Sequence, residues 1–252
     1  MTPTTTLSTD ALDGTAAPRR FAQGIADLLE RYRPSRHPYF RRLAAAPIDL
    51  IRQPKLLGEI YLHYQAAMHS TRAMVYLLPH LDRPSLRVRK CRIYQDDDGL
   101  PGGDTHHHQL ARAFRNVGAA LPLPDDDFGD LDDLARRVGG TTGELVLLVQ
   151  RLYPRSLGPW CIVELLSDDW MRALAAALGT HFPAMRAEPY FADVFAGGVE
   201  ERHGQEALDI TSLVLAGRPQ LLEETLAGAH AMAEMVGAFW TGLDRMLPAD
   251  RA

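Results

Sequence analysis

Cysteine is scarce in this chain, and long apolar runs are missing. Only two cysteines, Cys91 and Cys161, occur among 252 residues, which favours a reduced protein of the cytoplasm over a disulfide framework. No apolar stretch approaches the roughly 20 residues that a membrane-spanning helix needs, so we expect no membrane segment. The Thr-rich residues 1–18 lack the basic start and apolar segment of a signal peptide, and we expect them to be disordered.

Long uninterrupted runs of basic residues are also missing. The net charge is −5, and a surface without basic patches argues against nucleic acid as a partner. The apolar fraction of 46% and the charged fraction of 23% are ordinary for a globular protein. A chain of this length buries about 70% or more of its unfolded surface, so its core needs no disulfide bonds or other cross-links. The sequence sets no oligomeric state, and a homodimer is the common default.

Apolar residues recur at helical spacing along most of the chain, and no alternating run bounded by hairpin turns occurs. We therefore predict one all-α domain of about seven helices over residues 19–252. The stretch 82–103 contains prolines and three consecutive aspartates, and it predicts a loop with at most one short element. The pair Gly197-Gly198 predicts a kink in a helix over 189–216. The other predicted helices cover 20–32, 55–81, 144–153 and 219–247, and one more starts at Gly158-Pro159 and is ended by Gly179.

A carboxylate and three imidazoles stand together in the stretch 104–108, at the start of a helical apolar pattern. On a helix, residues three apart share a face, so Asp104 and His107 could bind one ion together. Their stripe continues through Leu110 and Phe114, which predicts that the pair faces the protein interior.

Two further segments carry side chains of the same kind. Glu200 and His203 repeat the carboxylate-x-x-His spacing, and their stripe continues through Ile210. Glu164 lies within an apolar run over 160–166, where an ionised carboxylate costs several kcal/mol unless it is paired or metal-bound. Two carboxylate-x-x-His pairs with additional carboxylates are how helical bundles hold non-haem iron or manganese.

Each feature also has a plainer interpretation. A single carboxylate-x-x-His pair is usually a helix cap or a surface pair, and Glu164 could pair with an arginine or a backbone group. His106 and His108 are expected to be exposed neighbours of the ligand, with a shift of one residue left open. Asp97 and Glu59 are candidates for a second ion, although a solvated or structural role is favoured for both.

The order of these motifs resembles that of the haem-oxygenase-like iron-containing redox enzymes, also called haem-oxygenase-like diiron oxidases. Their fold is related to those of thiamin-salvage enzymes and pyrroloquinoline-quinone synthase. The family's usual His is replaced by Ala196, and its usual Asp by Glu200. The matching residues are Asp104, His107, Leu110, Phe114, Glu164, Tyr190, Phe191, His203, Phe239 and Trp240.

This resemblance implies a haem-oxygenase-like bundle that binds Fe(II) and uses O2 as co-substrate. The expected reaction is oxidation of a small carboxylic acid or free amino acid by C–C cleavage, desaturation, cyclisation or N-oxygenation, in specialised biosynthesis. Glu164 and Glu200 are the candidate catalytic residues. Because Ala196 replaces a ligand, we expect one firmly held iron and a second that is weak or absent. An acidic substrate needs an arginine partner, for which Arg72, Arg151 and Arg155 are candidates.

Two other functions fit the same residues. The first is a metal-independent enzyme of cofactor metabolism with the haem-oxygenase fold, in which His and Glu side chains transfer protons. The second is a non-catalytic helical binding protein in which Ala196 marks a decayed metal site. Iron binding distinguishes the oxidase from these two alternatives, because neither alternative requires iron.

Overall fold

A computed structural model of the protein describes residues 16–98, 104–122, 130–196 and 198–248. Within these ranges the chain forms α-helices and short 3-10 segments and contains no β-strand, which confirms the all-α prediction. The helices are α1 (Ala16–Arg31), α2 (Pro38–Ala45), α3 (Ile48–Ile51), α4 (Pro54–His69), α5 (Pro84–Asp98), α6 (His106–Asn116), α7 (Leu131–Val138), α8 (Gly140–Leu152), α9 (Gly158–His181), α10 (Pro189–Ala196), α11 (Val199–Gly217) and α12 (Leu222–Met246). The 3-10 segments are Pro34–Arg36, Ser70–His80, Pro183–Ala187 and Pro219–Leu221.

Helix α9 forms the centre of the fold, and α1, α2, α10, α11 and α12 all pack against it. Its 24 residues are apolar on nearly every side, as expected for a helix enclosed by others. Gly158 at its start lets α12 approach closely, because a Cβ there would overlap the carbonyl oxygen of Thr225. The predicted start of this helix at Gly158-Pro159 is confirmed, and its end lies two residues beyond the predicted Gly179.

Helix α5 corrects the prediction of a loop over 82–103. Pro84 occupies the first helical position, which suits its fixed φ and missing N–H. Leu86, Lys90 and Ile93 are buried and follow one another at steps of four and three, so they form the inner face of a helix. The many charged residues between them hid this pattern in the sequence.

The predicted kink at Gly197-Gly198 is a complete break between α10 and α11. Gly198 has φ 58° and ψ 32°, a left-handed conformation that glycine adopts without the strain of a Cβ. The break places Glu200 in the first turn of α11, where the helix dipole favours a carboxylate. Residue 197 itself lies outside the described residues.

Other boundaries also differ from the predictions. The predicted helix over 55–81 is α-helical only to His69 and continues as 3-10 turns to His80, with Pro79 inside them. Helix α1 begins at Ala16, so residues 16–18 of the predicted tail are helical, whereas residues 1–15 lie outside the described part of the chain. Both cysteines are free thiols. Within the described ranges, no helix combines the length and apolarity needed to cross a membrane.

Candidate metal centre

Three side chains from α5 and α11 bring potential metal ligands together. One oxygen each from Asp97 and Glu200 and one ring nitrogen of His203 all lie within 4.8 Å of one another. Asp97 comes from the last turn of α5, and Glu200 and His203 lie one turn apart at the start of α11. Glu200 and His203 are buried, and the Asp97 side chain is only 12% exposed. Among the described residues, no other group of three or more such donors converges in this way.

The His203 ring has a carboxylate near each of its nitrogens. Its Nε2 lies 3.1 Å from Oδ2 of Asp96, within hydrogen-bond distance. Its Nδ1 lies 3.7 Å from Oδ1 of Asp97 and 4.0 Å from Oε2 of Glu200, both too far for a hydrogen bond. The buried Nδ1 therefore has no hydrogen-bond partner among the described residues, and it faces the space between the two carboxylates.

Glu200 lies in surroundings that disfavour its charge. Burial and the nearby carboxylate of Glu164 raise the pKa of Glu200 to about 7, although His203 and a hydrogen bond from Ser167 act in the opposite direction. Oγ of Ser167 lies 2.9 Å from Oε2 of Glu200 and 2.7 Å from the carbonyl oxygen of Glu164. A buried carboxylate whose pKa is raised by a neighbouring carboxylate is a common sign of a functional site, and a bound cation would relieve the repulsion.

Glu164 has the buried position that the sequence predicted, and its partner is an indole. Trp160 donates from Nε1 to Oε1 of Glu164 across 2.5 Å. Lys90 lies on the same ring, with its Nζ 4.8 Å from the ring centroid, and is 2% exposed. Such a cation over an aromatic face is favourable. Glu164 is outside the three-donor group but acts on it through its charge. Sequence reasoning missed Trp160 and Lys90, since neither has a diagnostic spacing.

The predicted pair of Asp104 and His107 does not lie on one helical face. The oxygen of Thr105 caps α6 by accepting a hydrogen bond from the backbone N–H of His108, 3.1 Å away, so the helix begins only at His106. Asp104 precedes the helix, is 44% exposed and accepts a hydrogen bond from Nη2 of Arg112 across 2.6 Å. A threonine followed by helical residues is a strong cap signal, and it was present in the sequence.

The three consecutive histidines have different neighbours. Nδ1 of His107 forms a hydrogen bond with Nε2 of Gln65. Nδ1 of His106 lies 3.5 Å from Oδ1 of Asp97, and its ring meets that of Tyr190 edge-on with 5.8 Å between centroids. The structure therefore brings His106 next to the three-donor group.

A buried pair of tyrosines lies beside the group. The hydroxyl oxygens of Tyr64 and Tyr190 are 3.0 Å apart, and burial raises the pKa of both hydroxyls well above their ordinary value. The negative charge of Glu200 contributes to both shifts. These rings therefore form a neutral, dry wall next to the carboxylates.

The remaining candidates lie apart from this group or outside the described residues. The charge of Glu59 acts on the neighbouring His63, whose pKa is lowered by burial. Ala196 is the last residue of α10, and its side chain lies outside the described part, as does that of Arg72. Arg151 and Arg155 are exposed.

The donor set suits a transition-metal ion. Ligand atoms about 2.0 to 2.2 Å from a metal lie roughly 3 to 4 Å from one another, and the separations of 3.7 and 4.0 Å around Nδ1 of His203 fall in that range. One imidazole with two carboxylates can bind Fe(II) or Mn(II). The Nδ1 that lacks a partner among the described residues and the mutually repelling carboxylates are both features that a cation would satisfy. Asp97, Glu200 and His203 thus fit a metal ion.

Comparison with known proteins adds no relative. A scan against models of protein families gives no match for this chain, and neither does a search of the curated proteins. The haem-oxygenase-like resemblance therefore rests on the sequence motifs alone, and the all-α fold is compatible with it.

Proposed function

We propose that this protein is a haem-oxygenase-like, non-haem iron enzyme that uses O2 to oxidise a small carboxylic acid or a free amino acid. The observation that carries the proposal is the convergence of Asp97, Glu200 and His203 in the interior, with a buried Nδ1 that has no hydrogen-bond partner among the described residues and that a cation would satisfy. The resemblance of the motifs to haem-oxygenase-like oxidases supports the choice of iron and O2.

In this proposal, Asp97, Glu200 and His203 hold the ion. Bound Fe(II) supplies a binding position for O2 and electrons for its reduction. Ser167 orients the Glu200 carboxylate through its hydrogen bond, and the pair of Tyr64 and Tyr190 excludes water on one side. A dry site of this kind strengthens electrostatic interactions and limits side reactions.

Iron binding is the first test. The protein is loaded with Fe(II) without oxygen, desalted and analysed for metal, and we expect stoichiometric iron in the wild type. His203→Ala should lose it, because it removes the only imidazole in the three-donor group. The half-buried His230 on α12, which pairs with Glu234, provides the control, and His230→Ala should bind iron normally. An iron-free wild type would favour a metal-independent enzyme or a binding protein.

The histidine stretch gives a second, sharper test. His106→Ala should weaken iron binding because His106 contacts the ligand Asp97, whereas His107→Ala should have the smaller effect because Nδ1 of His107 is engaged by Gln65. The opposite result would support the ligand register implied by the family motif. Oxygen uptake by loaded protein mixed with a panel of amino acids and fatty acids then separates catalysis from binding, since only an enzyme consumes O2 in a substrate-dependent way.

A further inference from the structure

We infer that Asp96 is a positioning residue, which holds the ring of His203 in the tautomer and orientation that present Nδ1 to a metal ion. Asp96 lies next to the three-donor group but is not one of its members. The inference deepens the proposed function and rests on it in one respect, namely that Asp97, Glu200 and His203 bind a metal.

The hydrogen bond between the two residues fixes the tautomer. Oδ2 of Asp96 lies 3.1 Å from Nε2 of His203. An ionised carboxylate only accepts hydrogen bonds, so Nε2 must carry the proton. In the neutral ring, Nδ1 then keeps its lone pair, and this is the nitrogen that faces Asp97 and Glu200.

The alternative of a fully protonated ring fits the distances less well. An N–H at Nδ1 would have to donate to Asp97 or Glu200, whose oxygens are 3.7 and 4.0 Å away. Charge-assisted N–H···O bonds are usually about 2.7 to 2.9 Å long. The geometry is that of ligands spaced around an ion rather than that of an imidazolium held by two carboxylates.

The two neighbouring aspartates of α5 face different nitrogens of the His203 ring. Asp97 is 12% exposed and faces the buried Nδ1, whereas Asp96 is 56% exposed and faces Nε2. Histidines that bind metals almost always donate their second N–H to a carboxylate, a carbonyl or water, and this contact sets the ring orientation. Asp96 is placed to be that carboxylate.

Helix stability does not explain Asp96. It lies in the last turn of α5, where the helix dipole disfavours a negative charge. Its removal gains this dipole term and loses the hydrogen bond to His203, at a side chain that water reaches. The stability of the metal-free fold should therefore change little, so a lost function of the variant can be separated from a lost fold.

The first test uses the metal-free protein with ¹⁵N-labelled histidine. In the wild type, the ring-nitrogen resonances of His203 should show a protonated Nε2 and an unprotonated Nδ1. Asp96→Ala should remove this preference, whereas Asp96→Asn, which keeps an acceptor oxygen, should retain much of it. Identical resonances in the wild type and Asp96→Ala would overturn the inference.

The second test measures Fe(II) affinity by anaerobic calorimetry. Asp96→Ala should bind Fe(II) about 10- to 100-fold more weakly, the usual cost of losing a partner behind a metal ligand, and the thermal midpoint of the metal-free protein should change little. Asp96→Asn should fall between Asp96→Ala and the wild type. Asp132→Asn, which removes one exposed charge on α7, is the matched control and should bind normally.

The outcomes distinguish a failure of the proposed function from a failure of the role of Asp96. If the wild type binds no iron, the proposed function fails, and the role of Asp96 toward an ion fails with it. If the wild type binds iron and Asp96→Ala binds it equally tightly, the proposed function stands and the inference about Asp96 is overturned. Unfolding of metal-free Asp96→Ala at the temperature of the titration would also count against it, because it would make Asp96 a structural residue.

Discussion

At the scale of single residues, His37 shows how one tautomer joins two helices. Its Nδ1 accepts a hydrogen bond from the backbone N–H of Tyr39 across 3.2 Å and caps α2. A backbone N–H only donates, so the proton of the neutral ring is on Nε2, which lies 3.2 Å from Oγ1 of Thr241 on α12. Thr241 in turn donates to the carbonyl oxygen of Gly237. Protonation of His37 would put a hydrogen on Nδ1 and break the bond from Tyr39, whereas the bonds of Nε2 and Thr241 would persist.

We predict that acidification weakens the fold partly through His37. Burial lowers the pKa of His37 below its ordinary value of 6.5, although Asp244 opposes the shift. The unfolded chain therefore binds the proton first, so stability is fully present above about pH 6.5 and falls as the pH drops through the folded-state pKa. His37→Asn keeps a capping oxygen without titrating. Urea unfolding at about pH 5 and pH 7.5, on either side of the ordinary histidine pKa, should show a smaller loss in this variant.

His63 provides an internal reference when His37→Asn is compared with the wild type. Burial also lowers the pKa of His63, so some acid sensitivity should persist in His37→Asn. An unchanged difference in unfolding free energy between the two pH values would show that the bond to Tyr39 does not depend on the neutral ring. A second variant, His63→Gln, should remove the part of the acid sensitivity that comes from His63.

The candidate site was predictable from sequence only in part. Glu200 and His203 were identified because their spacing and the apolar stripe after them belong to a helix that the structure contains. Asp104 was misplaced because a stronger local signal, the cap by Thr105, starts the helix after it. Asp97 ranked low because nothing within its own segment distinguishes it from a solvated aspartate. Its role depends on a contact between α5 and α11, which no local pattern encodes.

At the scale of elements, a charged cluster sets the position of α5 on α11. Arg89 donates through Nη2 to Oε2 of Glu206 across 2.6 Å and through Nε to the other carboxylate oxygen, and Asp209 lies 3.6 Å away. Arg89 precedes Asp97 by about two helical turns, and Glu206 follows His203 by about one. The cluster therefore fixes the register that brings Asp97 to His203.

We predict that Arg89→Met lowers the affinity for Fe(II) but costs little folding stability. The pair is partly exposed, with side chains 27% and 31% accessible, so its loss should cost no more than about 1 kcal/mol of stability. Fe(II) affinity should fall because α5 and α11 each supply ligands and lose their anchor. Arg136→Met on α7, which breaks an exposed pair within one helix, is the control for calorimetric titration. Equal affinities in the two variants would mean that hydrophobic packing alone sets the register.

Helices were predictable where apolar spacing was uninterrupted, and not where function or charge broke the pattern. The long apolar run of α9 and the glycine break before α11 were both evident from sequence. Helix α5 was missed because its buried positions include Lys90, a residue that sequence patterns count as solvent-exposed. Its burial against Trp160 is a tertiary contact.

At the scale of the whole molecule, the metal-free protein contains a local conflict that an ion would remove. Three carboxylates from different helices, those of Asp97, Glu164 and Glu200, lie in or beside one interior region. Folding without a cation leaves their repulsion in place, and part of it is relieved by the raised pKa of Glu200. A ligand that binds only the folded state shifts the unfolding equilibrium by mass action.

Metal ions should therefore stabilise the entire fold. At 100 times the dissociation constant, a bound ion adds about 2.7 kcal/mol, which for a chain of this size raises the thermal midpoint by roughly 5 to 11 °C. Anaerobic Fe(II) or Mn(II) should produce this shift in a thermal unfolding experiment, whereas Mg(II), which prefers octahedral oxygen ligands, should produce less. Hydrogen exchange should slow most at the end of α5 and the start of α11, since those turns carry the ligands. His203→Ala should abolish both effects, and an equal midpoint shift in that variant would place the ion elsewhere in the molecule.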